Sequence, residues 1–260
     1  MKFQSLAESP LGISDDEAAV IAEYSKAWQE SQYAAYTLSL PPTRISPWVW
    51  RDRRVFASDV GATRFRQLML IKTIETVKPS NVLEVGCGNG INLLLLACRF
   101  PDIAFTGVEL TKQGHIAAER FQQQATLPQQ MVDYAPLPLV DDTAFRRIRF
   151  LQGTAADLPF EDSSFDMVQT ILALEQMEQI RPDALSEIAR VCRGTTLMIE
   201  PFRDANEQGW SRKNVGQRNY FQGRIADLPS YGLQPAMAIN DFPQEAFLKV
   251  CALQSTKGAV

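Results

Sequence analysis

Histidine is nearly absent from this chain of 260 residues, and its cysteines lack the spacing of a metal site. His115 is the single histidine, and the four cysteines are far apart, with no Cys-x-x-Cys pair: Cys87, Cys98, Cys192 and Cys251. Zinc-ligand spacing is therefore missing, and we expect no bound metal. Unpaired thiols in apolar segments are typical of proteins from a reducing compartment.

The chain also lacks a positive net charge and a long apolar run. Its 26 lysines and arginines against 30 acidic residues give a formal net charge of -4, so we expect no nucleic-acid partner that is held through phosphates. The apolar run Leu93–Cys98 is too short to cross a bilayer, and residues 1–30 show no secretion signal. We expect a cytoplasmic protein with no membrane partner, for which a homodimer is one arrangement that the sequence allows.

Two regions of different character follow one another along the chain. Residues 1–60 predict an irregular, mostly helical N-terminal cap, in which prolines make 44–50 a loop or extended arm. From residue 61 to 260, apolar strand-like runs alternate with helical patterns, and an insertion interrupts them around 125–147. Such alternation predicts an α/β domain with a mostly parallel sheet and helices on both faces. Two apolar segments at the end, 235–241 and 247–256, predict an antiparallel pair.

A glycine loop directly follows the first strand-like run of this domain. The run Asn81–Val85 leads into Gly86, Gly88 and Gly90, and a helical pattern begins at Ile91. Glycine lets the backbone turn sharply and lets a ligand approach closely, and the next helix presents free N–H groups. The spacing is G-x-G-x-G, whereas the dinucleotide fingerprint is G-x-G-x-x-G.

This loop, with Glu84 two residues before its first glycine, resembles the first motif of the Rossmann-like S-adenosylmethionine (SAM)-dependent methyltransferases. The resemblance implies a seven-stranded, mostly parallel sheet with an antiparallel C-terminal strand. It also implies that SAM is the cofactor and S-adenosylhomocysteine (SAH) the product. Cofactor contacts are then expected from residues of the loop and the neighbouring strand ends: Glu84, Gly86, Cys87, Gly88, Gly90, Asn92 and Thr170.

The second strand-like run of the domain ends in a carboxylate, Glu109. A carboxylate at this place accepts hydrogen bonds from both ribose hydroxyls, in nicotinamide proteins as well, and Leu110 next to it is expected to contact the cofactor. The alternative for Glu109 is an acid that favours the start of the following helix.

A further segment distinguishes a SAM site from a nicotinamide site. Asp157-Leu158-Pro159-Phe160, followed by Ser164-Phe165-Asp166, is similar to the signature of small-molecule methyltransferases of the ubiquinone and sterol type. The resemblance implies that Asp157 accepts from the adenine amino group, that Ala156 offers its N–H to the ring and that Leu158 lies beside them. Asp157 as a helix cap and Leu158 as an apolar plug are the structural alternative.

Methyl transfer needs alignment of nucleophile, methyl carbon and sulfur, and it needs a base only when the nucleophile arrives protonated. Glu175, after the fourth strand-like run, is the first candidate base, and Glu200, at the end of the fifth, is the second. Each has a structural alternative: Glu175 as an acid at a helix start, and Glu200 as a clamp for the following loop. His115 is expected to be a surface or packing residue.

The sequence favours transfer to the O, N or C atom of a small-molecule acceptor. A SAM-binding partner subunit without transfer activity is a second interpretation, and a nicotinamide oxidoreductase is a third. Aromatic residues outside the strand-like runs are expected to cover the acceptor, with core packing as the alternative for each: Tyr33, Tyr36, Trp48, Trp50, Tyr220 and Phe221.

Overall fold

The computed structural model describes residues 15–27, 45–51, 53–218, 220–245 and 247–258. Tyr33 and Tyr36, two of the expected cover residues, lie outside this described part. In the described ranges, no helix combines the length and apolarity that a bilayer span requires.

A seven-stranded sheet forms the centre of the molecule. Its strands are β3 (Asn81–Val85), β4 (Ala104–Glu109), β5 (Arg149–Gln152), β6 (Phe165–Ile171), β7 (Cys192–Glu200), β8 (Leu233–Ile239) and β9 (Cys251–Lys257). They lie in the order β5-β4-β3-β6-β7-β9-β8. The first five in this order are parallel, and β9 is antiparallel to β7 and β8. The predicted fold class is confirmed.

Helices cover both faces of the sheet. In the described ranges they are α1 (Asp15–Ala27), α2 (Asp59–Val77), α3 (Ile91–Arg99), α4 (Lys112–Gln122), α5 (Gln129–Val132), α6 (Arg181–Val191) and α7 (Gly209–Gln217). Short 3-10 turns lie at Ala144–Arg147, Leu174–Gln176, Arg203–Ala205 and Ile225–Tyr231. Alternation along β3 divides the core: Val82 belongs to one buried cluster, and Leu83 and Val85 belong to the other.

The ends of the helices that flank the glycine loop follow from local chemistry. Gly90 caps α3 in the left-handed conformation, and α3 ends just before Pro101. The Thr111 hydroxyl accepts from the N–H of Gly114 at 3.1 Å and caps α4. These caps place the starts of α3 and α4 at the carboxyl edge of the sheet, where open α/β folds bind ligands.

The N-terminal region differs from the expected helical cap. Residues 45–50 form strand β1 (Ile45–Trp50), which pairs with β2 (Arg53–Ser58) in an antiparallel hairpin. The sequence predicted a loop or extended arm here, because Pro47 breaks a helical pattern, and it did not predict the pairing of two strands. A two-stranded ribbon has only edge strands, however, and an edge strand tolerates a residue without an N–H group.

The insertion around 125–147 packs onto the domain. It contains α5 and the turn Ala144–Arg147, and its Met131 and Phe145 side chains are fully buried. The N–H groups of Val140 and Asp141 donate to the carbonyl of Cys98 at the end of α3. The insertion is therefore fixed against the helix that follows the glycine loop.

Candidate active site

The glycine loop is bent around the end of β4. The N–H groups of Gly86 and Cys87 both donate to the carbonyl of Val108, at 2.8 and 3.0 Å. Gly86 has a φ of 74°, and a Cβ atom there would lie 2.5 Å from the Cβ of Ala173. Both the backbone conformation and the space at residue 86 therefore require glycine.

Gly90 packs against a neighbouring strand and does not form part of the inner surface of the loop. It has a φ of 75°, and a Cβ atom there would lie 2.6 Å from Cζ of Phe150. Gly90 does not line the cavity described below, although it was expected to contact the cofactor. Its place as the cap of α3, against the aromatic ring on β5, explains why glycine is needed.

Glu84 is a buried acid held by two side-chain amides. Asn92 donates to its Oε1 and Gln169 to its Oε2, both at 2.8 Å. Burial nevertheless raises the pKa of Glu84 to about 7, against these two hydrogen bonds. A cationic group of a ligand beside Glu84 would favour the ionised carboxylate.

Glu109 combines the two roles that the sequence left open. Its Oε1 accepts from the N–H of Thr111 at 2.9 Å and from the Thr111 hydroxyl at 2.5 Å, at the start of α4. Its Oε2 accepts from the N–H of Gly88 at 3.0 Å. A carboxylate oxygen has two acceptor positions, so among the described contacts Oε2 keeps one for a ligand.

These groups border a cavity of about 340 Å³ at the carboxyl edge of β3, β4 and β6. Such a volume is in the range of small-molecule sites. Eight of the residues predicted from the sequence line it: Glu84, Gly86, Cys87, Gly88, Asn92, Glu109, Leu110 and Glu175.

The remaining predicted residues do not line the cavity. Ala155 lines it instead of Ala156, whose N–H donates to the Thr154 hydroxyl at 3.1 Å. Asp157 is exposed. Leu158 is a buried plug whose N–H donates to Glu187 at 2.8 Å, and Thr170 is fully buried within β6.

The two candidate bases differ in their access to the cavity. Glu175 lies in the turn Leu174–Gln176, lines the cavity and has only 7 % of its surface exposed. Among the residues that the structure describes, its Oε2 has no hydrogen-bond partner. Burial raises the pKa of Glu175 to about 7.

Glu200 is fully buried and does not line the cavity. Its Oε1 accepts from the N–H of Ala173 at 3.1 Å, so it holds the segment that leads to Glu175. Burial raises the pKa of Glu200 to about 8, and the nearby Glu175 adds to the rise. This position favours the structural alternative for Glu200, a clamp at the end of β7.

Sequence reasoning missed several residues of the cavity wall. Arg66 comes from α2, Tyr134 from the insertion, and Glu17, Val20 and Tyr24 from α1. Glu17 is buried and accepts a hydrogen bond from the hydroxyl of Thr154. The helical periodicity that marked α1 as a cap was the signal for Tyr24, whereas no local pattern pointed to Arg66 or Tyr134.

The expected aromatic cover is not found among the described residues. Trp48 is buried beside a separate, smaller cavity, and Trp50 donates from Nε1 to Asp241 at 2.8 Å. Phe221 packs edge-on against Phe202, and Tyr220 contacts Arg218. His115 is half-buried on α4, with Nε2 3.5 Å from the Glu119 carboxylate, and it does not line the cavity.

Residues 83–199 match the family model described as a methyltransferase domain. The matched segment is somewhat less than half of the chain. This match begins within β3 and ends within β7, so it includes the glycine loop, Glu109 and Glu175. The family resemblance inferred from the sequence motifs is confirmed.

Relatives and solved structures match more of the chain than residues 83–199. An uncharacterised methyltransferase of Bacillus subtilis is 29% identical over 158 residues, which are 59% of this chain and 51% of that protein. The chain thus spans about half the length of this relative. The 2-phytyl-1,4-naphtoquinone methyltransferase of Synechocystis is 28% identical over 205 residues, 75% of this chain and 76% of that protein.

The fold has a solved counterpart that covers nearly the whole chain. Magnesium protoporphyrin IX methyltransferase from Synechocystis, with bound SAH, superposes with a TM-score of 0.60 at 12% identity. The superposition covers 94% of this chain and 100% of that structure. At this identity the likeness concerns the fold alone.

Proposed function

We propose that the chain is a SAM-dependent methyltransferase that acts on a small-molecule acceptor. The observation that carries the proposal is the cavity at the carboxyl edge of the sheet, bordered by the glycine loop and by Glu84 and Glu109. Two acids on either side of a close-approach loop suit a ligand with an ammonium group at one end and a ribose at the other.

Different residues of the cavity wall would contact the methionine, ribose and adenine parts of such a ligand. Glu84, oriented by Asn92 and Gln169, would accept from the ammonium group of the methionine part. Glu109 would accept from a ribose hydroxyl through the free position on Oε2. Leu110 and Ala155 offer apolar contact to the adenine, and Asp157, exposed two residues after Ala155, remains our candidate for the adenine amino group at the rim.

SAM, when bound, supplies a methyl group activated by a sulfonium. The chain's part is to orient the acceptor and to remove a proton where the acceptor carries one. Glu175 is suited to that step because it lines the cavity, its Oε2 has no partner within the described ranges, and its pKa is about 7. A general base is most effective when its pKa lies near the working pH.

We infer that the acceptor lies beside the apolar part of the cavity wall. Ile171, Leu172, Met177 and Ile180 form this part together with Val20 of α1. We infer an apolar small-molecule acceptor with an O, N or C nucleophile, and the naphthoquinone relative supports this class. A reducing compartment such as the cytoplasm agrees with four cysteines that are free and buried.

Residues 1–60 are proposed to act as a cap on this domain. Helix α1 supplies Glu17, Val20 and Tyr24 to the cavity wall, and Glu17 meets Thr154 on the opposite side. The described part of the cap thus joins a helix with the β1–β2 hairpin.

Ligand-induced stabilisation tests the cofactor, and product formation tests the reaction. Thermal unfolding of the protein with SAM, SAH and NAD should give a raised melting temperature with SAM and SAH only. Stabilisation by NAD without SAH would make the cofactor assignment wrong. If SAM binds but no acceptor fraction releases SAH, the protein is a SAM-binding subunit without transfer activity.

A further inference from the structure

The β1–β2 hairpin has one face turned to the protein and one face turned to solvent. Strand partners run from Ile45 opposite Ser58 to Trp50 opposite Arg53. Side chains alternate between the faces, so Trp48 is buried on the inner face. On the outer face, Pro47 lies opposite Phe56.

The outer face is apolar and exposed. Phe56 has 70% of its surface exposed and Ile45 has 66%. Pro47, between them on the same face, is also exposed. Large apolar side chains that cluster on one exposed face mark a surface that contacts an apolar partner.

Positive charge borders this apolar face at the tip of the hairpin. Arg54 shares the outer face, and Arg53 and Arg51 flank the turn. Arg51 is paired with Asp241. Within the described ranges, neither Arg53 nor Arg54 makes an ion pair, although the whole chain carries a net charge of -4.

The hairpin is held firmly to the rest of the molecule. Backbone hydrogen bonds in both directions join Val49 to Gln244, at 2.8 and 2.9 Å. The indole N–H of Trp50 and the Nε of Arg51 both donate to Asp241 at 2.8 Å. The apolar face and the arginines therefore have a fixed orientation.

We propose that the outer face of the β1–β2 hairpin docks on the surface of an anionic lipid bilayer. Apolar side chains that enter the headgroup region, with arginines beside them, are the combination that such a surface attracts. A nucleic acid would use the arginines but leave Phe56 and Ile45 in water. A two-fold pairing with a second copy would bring the two Arg54 charges onto the same small patch.

The place of the hairpin gives this docking a use, which rests on the proposed function. Trp48 lines a small cavity of about 30 Å³ together with Arg66 and Leu172. Arg66 and Leu172 also line the large cavity beside Glu175. Docking would bring the acceptor end of the site close to the bilayer, where apolar acceptors dissolve. The proposal departs from our expectation of no membrane partner.

Vesicle co-sedimentation tests the docking without any knowledge of the acceptor. The full chain is mixed with phosphatidylcholine vesicles, with or without about 30% phosphatidylglycerol as the anionic lipid. We expect binding to the anionic vesicles only, and weaker binding at high salt. Arg53→Gln with Arg54→Gln should lower the partition coefficient roughly 30-fold, the effect of two basic residues near such a surface.

Matched variants show whether binding depends on this face of the hairpin or on exposed apolar and positively charged side chains in general. Phe56→Ser should also weaken binding, whereas Val140→Ser, at a side chain that is 64% exposed in the insertion, should not. Lys112→Gln with Arg149→Gln removes two other exposed positive charges and should bind like the wild type.

Three results would overturn the proposal: no binding of the wild type, equal loss in the control variants, or a dimer in light scattering that Phe56→Ser converts to a monomer. SAH affinity, measured on the same variants, keeps the two proposals distinguishable. Docking can fail while SAH still binds, and SAH binding can fail while the vesicles still sediment the protein.

Discussion

The Oε2 atom of Glu109 lies 3.0 Å from the backbone nitrogen of Gly88. The acid at the end of β4 therefore fixes the glycine loop at the end of β3, and the same side chain lines the cavity. Support of the loop and contact with the ligand belong to one carboxylate, so a change at this residue affects both.

Glu109→Gln should weaken SAH binding. The amide keeps the shape of the side chain but loses the charge, and each charged hydrogen bond that is lost corresponds to about 1.5–3 kcal/mol of binding free energy. Isothermal titration calorimetry measures the effect, with Glu161→Gln, at an exposed acid outside the cavity, as the control. Wild-type affinity in Glu109→Gln would remove the ribose role from our proposal.

Gly86→Ala should destabilise the folded protein. Residue 86 has a φ of 74°, and the added methyl group would lie 2.5 Å from the Cβ of Ala173, so we expect a loss of about 1–3 kcal/mol in the free energy of unfolding. Gly216→Ala is the matched control, because a Cβ atom in that helix meets nothing within 4 Å. The control should gain about 0.5–1 kcal/mol in urea denaturation. Equal effects in the two variants would contradict the crowding at Gly86.

Glu175→Gln should slow methyl transfer and leave SAH affinity unchanged. The pKa of Glu175 is about 7, so the wild-type rate should rise with pH through that value as the carboxyl group loses its proton. A general base contributes about 10²–10⁴-fold to a rate, and the amide variant should lose both this factor and the rising limb. Arg66, Arg218 and Glu245 also act on Glu175, so the midpoint depends on their charges. The measurement is the steady-state rate of both proteins as a function of pH. An unchanged profile in Glu175→Gln would mean that another group removes the proton of the acceptor, or that no base is needed.

The free energy of unfolding should fall as the pH rises from about 4.5 to 8. The pKa of Glu200 is raised from 4.5 to about 8, so over this range the folded state binds more protons than the unfolded state, and stability decreases with pH. Glu84 and Glu175, with pKa values raised to about 7, act in the same direction. The glutamine of Glu200→Gln resembles the neutral carboxyl group. The free energy of unfolding of this variant should therefore decrease less over the same pH range, by a few kcal/mol, on the order of 1.4 kcal/mol for each pKa unit. Urea titrations at several pH values measure this, and Glu161→Gln should keep the wild-type slope.

Local pattern was sufficient where neighbours in sequence determine the structure. The bounds of β3 were predicted to the residue, because this strand is an apolar run between turn-forming residues. The glycine loop and Glu109 were placed together correctly, because the carboxyl ends of adjacent parallel strands meet at one edge of a sheet. The hairpin was missed because Pro47 breaks a helix and a central strand but not an edge strand.

Contacts between distant segments could not be predicted in this way. Tyr134 reaches the cavity only because its segment packs on α3, and Arg66 faces it through the orientation of α2. Glu200 stood at a strand end like Glu109, and only the structure shows that its carboxyl group points to the N–H of Ala173 and not into the cavity. The turn after β5 places Ala155 rather than Ala156 at the wall, a difference of one residue that backbone rotation decides.

Ala173 touches three parts of the site at once. Its methyl group limits the space at Gly86, its N–H is held by Glu200, and it directly precedes the turn that carries Glu175. A larger side chain at residue 173 would press on the loop, so variation among descendants of this sequence is confined there to the smallest amino acids. Substitutions that adapt the cavity to new acceptors are then expected at wall residues outside this segment, such as Tyr134 in the insertion.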